Sequence, residues 1–403
     1  MRGNHSRAIG AAMAMMLASA DVEFRDTARQ ALRAALPAWL AERHRLNRRI
    51  CKSDLLSWLQ WLHRGGWLAG DWPAQFGGAG WSPLRRYLLD EECALAHAPS
   101  VAGSGVMGVG PLLIRFGTGL QQGRWLPGIL SGRDWWCEDF TGRPGETPEF
   151  RRDGDDYVVT AQRPAVMGVK QATLIAILLH GAGTDGDSDP APTILMIDLA
   201  SPGVTLETIP VLDGADDVAH LTLNAVRVPV ENRIGLQGGG LTCAEFLALR
   251  GSLVLQAVAR TVATLEDVRD QAGIMNQDQA PVIGNPIFAA RLAEAEADVA
   301  ALRTTALRLC TMATAVDDRR ARVAMLAVME RQVTRRLAEL RRLVFGPWTV
   351  AWPAQGGDNL PVPPGRPEAA AAMRGYVSSH LAALRGPDDG SLRDLIACSL
   401  LKD

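Results

Sequence analysis

Hydrophobic period constrains this chain more than any other feature, because it changes twice. From Asp21 to about Leu130, apolar residues recur at three- and four-residue intervals (Phe24, Ala28, Leu32, Leu36), and Leu55–Leu62 continues the pattern. Such spacing lines one face of a helix. After residue 131 the chain shifts to short runs rich in Val, Ile and Thr. These are DYVVTAQ (156–162), TLIAILLHG (173–181), TILMIDLA (193–200), VTLETIPVL (204–212) and AHLTLNAVRVP (219–229), separated by Gly, Asp and Pro. They predict antiparallel strands of a small sheet or barrel. From about Leu241 the helical period returns. Residues 288–316 and 319–345 are long, periodic and rich in Ala, Leu and Arg, and Ala371–Leu384 and Ser391–Leu401 follow a Pro/Gly-rich break. These segments suit an antiparallel bundle. The fold class expected is α+β, with an N-terminal extension (1–20), a helical N-terminal domain (21–130), a middle β-domain (131–232) and a C-terminal helical bundle (233–403).

Length and charge narrow the partners. A chain of 403 residues suits several domains or layers. A formal charge of −2 supplies no basic excess for nucleic acid or an anionic membrane. The six cysteines (Cys51, Cys93, Cys137, Cys243, Cys310, Cys398) form no CxxC, which argues against a metal centre or a disulfide framework and favours a reducing cytoplasm. The seven histidines show no metal-ligand spacing. The start, MRGNHSRAIGAAMAMMLASADVEF, has early arginines, an apolar run and an AxA-like Ala18-Ser19-Ala20. It reads as a secretory signal or, preferred here, as a flexible extension. No apolar run is expected to reach the about 18 residues that span a bilayer.

Four stretches carry a family likeness in the same order: GGWLAGDWPAQFGGAGWSP (65–83), LLDEECALAHAP (88–99), FGTGLQQGRWLPGILSG (116–132) and LTLNAVRVPVENRIGLQGGGLTCAEFLALR (221–250). Together they resemble the acyl-CoA dehydrogenase family from Asp21 to Leu401. The resemblance implies a helical N-terminal domain, a middle β-domain and a C-terminal four-helix bundle, with FAD between the β-domain and the bundle. It also implies α,β-desaturation of an acyl-CoA, in which a glutamate takes the α-proton and the flavin takes the hydride. That chemistry needs a desolvated carboxylate of raised pKa and hydrogen-bond donors at the thioester oxygen.

The positions that the family uses have been replaced. ALRGPDDGSLRDLIACSLL (383–401) resembles the turn that bears the commoner base, and its glutamate position falls on Gly386. The other position precedes an arginine on the first bundle helix. Arg250 matches that arginine, a substrate-site residue by the resemblance, and Leu249 precedes it. No catalytic residue is therefore assigned. The carboxylates that could substitute are Glu245, one turn before Leu249, and Asp388 or Asp389. Their plainer reading is a helix-surface carboxylate and a solvated turn or N-cap.

WWCEDFTGRPGETP (135–148) is similar to the family's flavin loop. By that resemblance Thr141 and Thr147 are cofactor-binding residues, while Gly142, Arg143, Glu146 and Pro148 depart from the pattern. AQRPAVMG (161–168) places Ala165 and Val166 where the family has a tryptophan and a threonine beside the flavin. Arg269 matches an arginine that reaches a neighbouring subunit's FAD, although an ordinary surface arginine is the plainer reading. An intact scaffold with altered chemistry resembles the degenerate subunit of heteromeric, steroid side-chain type members. The resemblance then implies a second, intact subunit in an α2β2 assembly, FAD held mostly by that partner, an acyl-CoA substrate and an electron-transfer protein. Nine of the eleven tryptophans lie at or before residue 136; they read as packing between helices or as an apolar wall for a bulky acyl group.

Overall fold

The computed structural model describes residues 17–48, 50–100, 103–141, 148–181, 192–212, 217–277, 280–312, 315–350, 367–381 and 389–400. In chain order, the first helices are α1 (Ser19–Ala35), α2 (Ala38–Arg45), α3 (Lys52–Arg64) and α4 (Pro83–Leu95). A five-residue π-turn, Gly105–Val109, leads into α5 (Gly110–Phe116) and α6 (Gly119–Ser131). Strands follow as β1 (Trp136–Asp139), β2 (Phe150–Asp153), β3 (Asp156–Met167), β4 (Leu174–His180), β5 (Pro192–Asp198), β6 (Val204–Thr208), β7 (Val218–Pro229) and β8 (Arg233–Ile234). The chain continues with α7 (Gly240–Arg250), α8 (Ser252–Ile274), α9 (Pro286–Thr311), α10 (Val316–Phe345), α11 (Pro367–Leu381) and α12 (Asp389–Leu400). The α+β class and the order helices, strands, helices are as the sequence predicts.

Two compact units are drawn from several parts of the chain. One gathers Met1–Cys51, Trp81–Ser100 and Leu253–Asp403, and the other gathers Lys52–Gly80 and Val101–Ser252.

The core of the first unit is helical. Leu255, Val258, Val262 and Leu265 of α8 pack with Leu292, Val299 and Leu302 of α9 and with Leu326, Val333, Leu337 and Leu340 of α10. The three-to-four spacing of each set is what aims it at one interior. Helix α4 also buries three consecutive acids, Asp90, Glu91 and Glu92. Each has a guanidinium: Arg86 for Asp90, Arg303 for Glu91 and Arg29 for Glu92. Burial of charge is tolerable only with such pairing. The long helix α9 begins at Asn285, whose side chain accepts from the Ile287 and Phe288 amides at 2.9 and 3.2 Å. Asn285→Ala is expected to lower stability by about 1 kcal/mol, read as a shift in the urea midpoint with an unchanged slope.

The second unit holds two four-stranded sheets, ordered β1-β4-β5-β8 and β2-β3-β7-β6. Their inner faces enclose Val159, Ile175, Ile177, Leu179, Leu195, Ile197 and Leu221. The expectation of antiparallel pairing holds for most of these ladders, but β1 runs parallel to β4, with Trp136 opposite Leu174. A strand this short gives no sequence signal of its partner's direction, which is set by the connection between them. The FGTGLQQ motif proves to be a capping box. Thr118 Oγ1 accepts from the Gln121 amide at 3.2 Å, and Gln121 Oε1 accepts from the Thr118 amide at 2.9 Å. Gln121 Nε2 then donates to the carbonyls of Glu231 and Arg233 at 2.6 and 2.7 Å, fastening α6 to the start of β8 and the turn before it. In the glycine-rich loop, a Cβ on Gly78 would lie 2.0 Å from the Trp72 carbonyl oxygen, so no side chain fits there.

One expectation is corrected. Among the described residues, the helical stretch Gly240–Ile274 is long and apolar enough to cross a membrane by length and composition alone. Gly251, with φ +66°, breaks it between α7 and α8, and Leu255, Val258 and Val262 of its second half lie in the helical core.

Candidate functional site

Strand β1, the start of the WWCEDFTG stretch, divides its side chains between two faces. Cys137 and Asp139 turn inward between the sheets, while Trp136 and Glu138 turn outward to the π-turn Gly105–Val109.

The inward face carries a buried polar cluster. Arg163 of β3 is 7% exposed. Its Nε lies 2.9 Å from Asp139 Oδ2, and its Nη1 and Nη2 donate to Glu149 at 2.5 and 3.2 Å. Nη2 also donates to the Leu178 carbonyl at 2.8 Å. Glu149 accepts in addition from the His180 amide at 2.9 Å. Burial works against the Arg163 charge, but the hydrogen bond and charge of Glu149, joined by Asp139, outweigh it and hold the pKa above its ordinary value. Thr141 belongs to the same cluster: its hydroxyl donates to Asp139 Oδ1 at 2.5 Å and its amide at 3.1 Å.

The outward face is different. Glu138 is partly exposed as a residue, yet its Oε2 is withdrawn from water and has no hydrogen-bond partner among the described residues. Burial alone pushes its carboxyl up to about 7, for no cation answers it. It is admitted only because residue 108 is glycine, since a Cβ there would lie 2.0 Å from Oε2. Sequence reasoning missed Glu138. The available signal was an acid inside an apolar run, Trp135-Trp136-Cys137, and its glycine counterpart lies thirty residues earlier.

The residues singled out from sequence are dispersed. Arg250 ends α7 and donates Nη2 to Asp71 Oδ2 at 2.7 Å, with its guanidinium 5.9 Å from the Phe246 ring. Leu249 and the half-buried Glu245 lie on the same helix. Arg269, in the other unit, is held by Glu296 (3.1 Å from Nε, 2.5 Å from Nη2) and by Glu266 (3.1 Å from Nη1). Asp389 opens α12 and pairs with Arg331 at 2.9 Å and Arg335 at 3.6 Å, an ion pair that fixes α12 to α10. Ala165 is exposed and Val166 is buried between the sheets. Thr147, Gly142, Arg143, Glu146, Gly386 and Asp388 lie outside the described residues. Several tryptophans pack against one another or are buried: Trp58 stacks on Trp61 at 5.1 Å, Trp125 meets Trp136 edge-on at 5.4 Å, and Trp72 is 1% exposed.

A flavin diphosphate would need free donors, and the two described residues that the resemblance assigns to it do not offer them. The Thr141 hydroxyl is given to Asp139, and the Arg269 guanidinium, in the other unit, to Glu266 and Glu296.

Residues 19–133 match the acyl-CoA dehydrogenase N-terminal domain. The chain is 31% identical over 185 residues to acyl-CoA dehydrogenase FadE29 of Mycobacterium tuberculosis, covering 44% of this chain and 47% of that protein. It is 27% identical over 220 residues to FadE26 of the same organism, covering 52% and 54%. It thus spans about half the length of the curated relatives that it matches. Among solved structures, the Tcur3481-Tcur3483 steroid ACAD is similar at a TM-score of 0.77 and 22% identity, covering 96% of this chain and 98% of that one. The ChsE4-ChsE5 complex from Mycobacterium tuberculosis is similar at a TM-score of 0.75 and 20% identity, covering 96% and 97%. These likenesses show the fold.

Proposed function

We propose that this chain, a member of the acyl-CoA dehydrogenase family, is the subunit of a heteromeric acyl-CoA dehydrogenase that lacks the catalytic base. The observation that carries the reading is the α7 terminus. Leu249 stands where a base would precede Arg250, and the arginine is spent on Asp71. The commoner base position is Gly386, which cannot accept a proton. An intact second subunit completes the assembly, in an α2β2 arrangement, and holds most of the FAD, which supplies the hydride acceptor. Reoxidation falls to an electron-transfer protein. Similarity to the Tcur3481-Tcur3483 steroid ACAD and to the ChsE4-ChsE5 complex favours a steroid side-chain thioester as the acyl-CoA. The compartment we assign is the cytoplasm, in keeping with six free cysteines.

Flavin stoichiometry tests this. Co-purified with an intact partner, the complex is expected to carry one FAD per two chains. A yellow homo-oligomer of this chain alone that desaturates an acyl-CoA would sink the reading, and a flavin-free complex would favour an acyl-CoA-binding or structural protein. A self-sufficient enzyme with its base at Glu245, Asp388 or Asp389 remains the second reading, since Glu245 shares a helix with Arg250. It predicts that Glu245→Gln abolishes turnover at unchanged flavin content.

A further inference from the structure

Helix α2 has little of its own to hold it in the first unit. At eight residues it is too short to be stable in isolation. It has no side-chain N-cap, and Leu40 is its one buried residue. What fastens it is polar. Arg45 pairs with Glu42 at 2.8 Å and with Glu368 of α11 at 3.2 Å. Arg374 of α11 donates to the Asn47 carbonyl, just beyond the helix, at 3.0 Å. His44, half-buried, bonds to the backbone of His97, which follows α4.

His97 is held from the other side. Its Nε2 lies 3.4 Å from Asp267 Oδ1 on α8, and its backbone stands in the left-handed region at φ +55°. That conformation is uncommon outside glycine and persists where the surroundings impose it. The charges around the two rings come from several elements. Arg260, Asp267 and Asp270 belong to α8, and Asp90 of α4 and Glu330 of α10 answer Arg260. Arg341 belongs to α10, Glu368 and Arg374 to α11, and Glu42, Arg43 and Arg45 to α2, with Arg48 after it. The Arg341 Nε and Nη2 are buried with no hydrogen-bond partner among the described residues, so cations here are incompletely answered. A proton added to His44 meets Arg260 and, once that ring is charged, His97.

We propose that His44 and His97 form an acid-released latch: the neutral His44 ring holds α2 in place, and its protonation lets the helix go. Burial first, and then the facing His97 charge, lower the His44 pKa from 6.5 to about 4. The sign follows from that direction. A basic group depressed on folding costs nothing above its unfolded pKa, and the cost grows as the pH falls from about 6.5 to about 4. Burial also pushes the Asp267 carboxyl up, so acid weakens the tether on His97 as well. Release bares Leu40 and the adjoining Leu46, which are 1% and 4% exposed when α2 is docked.

Hydrogen exchange on the full chain, corrected for the intrinsic effect of pH, reads the latch directly. Peptides covering residues 38–48 are expected to lose protection at least about tenfold between about pH 7 and about pH 5, while peptides from α9 keep theirs. His44→Gln, which takes no charge, should leave α2 equally protected at both pH values. Unchanged protection of 38–48 in the wild type, or a loss that His44→Gln fails to remove, overturns the latch. A second measurement needs no variant: the His44 ring, followed by NMR in the wild-type chain, should titrate below about pH 5. Titration near the ordinary value of about 6.5 overturns the proposal equally.

Discussion

Arg163→Met is expected to cost the strand-rich unit about 3–5 kcal/mol, the penalty of leaving buried carboxylates without their cation. Among the described residues Arg163 is the cation that pairs with both Asp139 and Glu149, at 2.9 and 2.5 Å, and all three side chains are largely withdrawn from water. The methionine fills the volume of the stem but gives nothing to either acid, and it also abandons the Leu178 carbonyl. The loss should appear as a lower urea midpoint at neutral pH. Replacing both acids by leucine in the Arg163→Met background should restore much of the stability, since a well-packed apolar set often matches a buried ion cluster. An unchanged midpoint in the single variant would mean that water reaches the cluster and that Arg163 does not hold it together.

Glu138→Gln should have an effect of similar size but only at high pH. The carboxyl rises from an ordinary 4.5 to about 7 in the folded chain. The sign follows directly. A group that holds its proton more tightly when folded favours folding fully below its unfolded pKa, and that favour is lost as the pH rises through its folded pKa. A shift of this size corresponds to about 3 kcal/mol. Wild type and Glu138→Gln should therefore have similar stability at about pH 4.5, and the variant should gain up to about 3 kcal/mol by about pH 8. The difference between the two unfolding curves across pH isolates this one group from every other titration. Parallel curves across that range would show that Glu138 is solvated.

How much of this was legible in advance depends on the range of the interactions. The helices of the bundle are written locally: Leu255, Val258, Val262 and Leu265 repeat within one segment, and Asn285 marks the start of α9 by side-chain chemistry within three residues. The strands β3 to β7 announce themselves by composition. By contrast β1 and β2 are four residues each, too short for a period to register. The family likeness of Thr141 was readable, but not that its hydroxyl would be spent two residues away on Asp139. Asp389 was correctly placed near a helix start and could not be seen to face Arg331, fifty-eight residues earlier.

The sequence by itself determined the order of elements and the fold class, because periodicity and residue identity are properties of neighbours along the chain. Only the tertiary structure decided what the remaining polar groups do. Arg250 closes on Asp71 and Arg163 gathers two acids, while Glu138 lies unanswered against Gly108. The physical reason is that the charge state of a buried group depends on what surrounds it in space, and folding brings those surroundings from segments tens of residues apart.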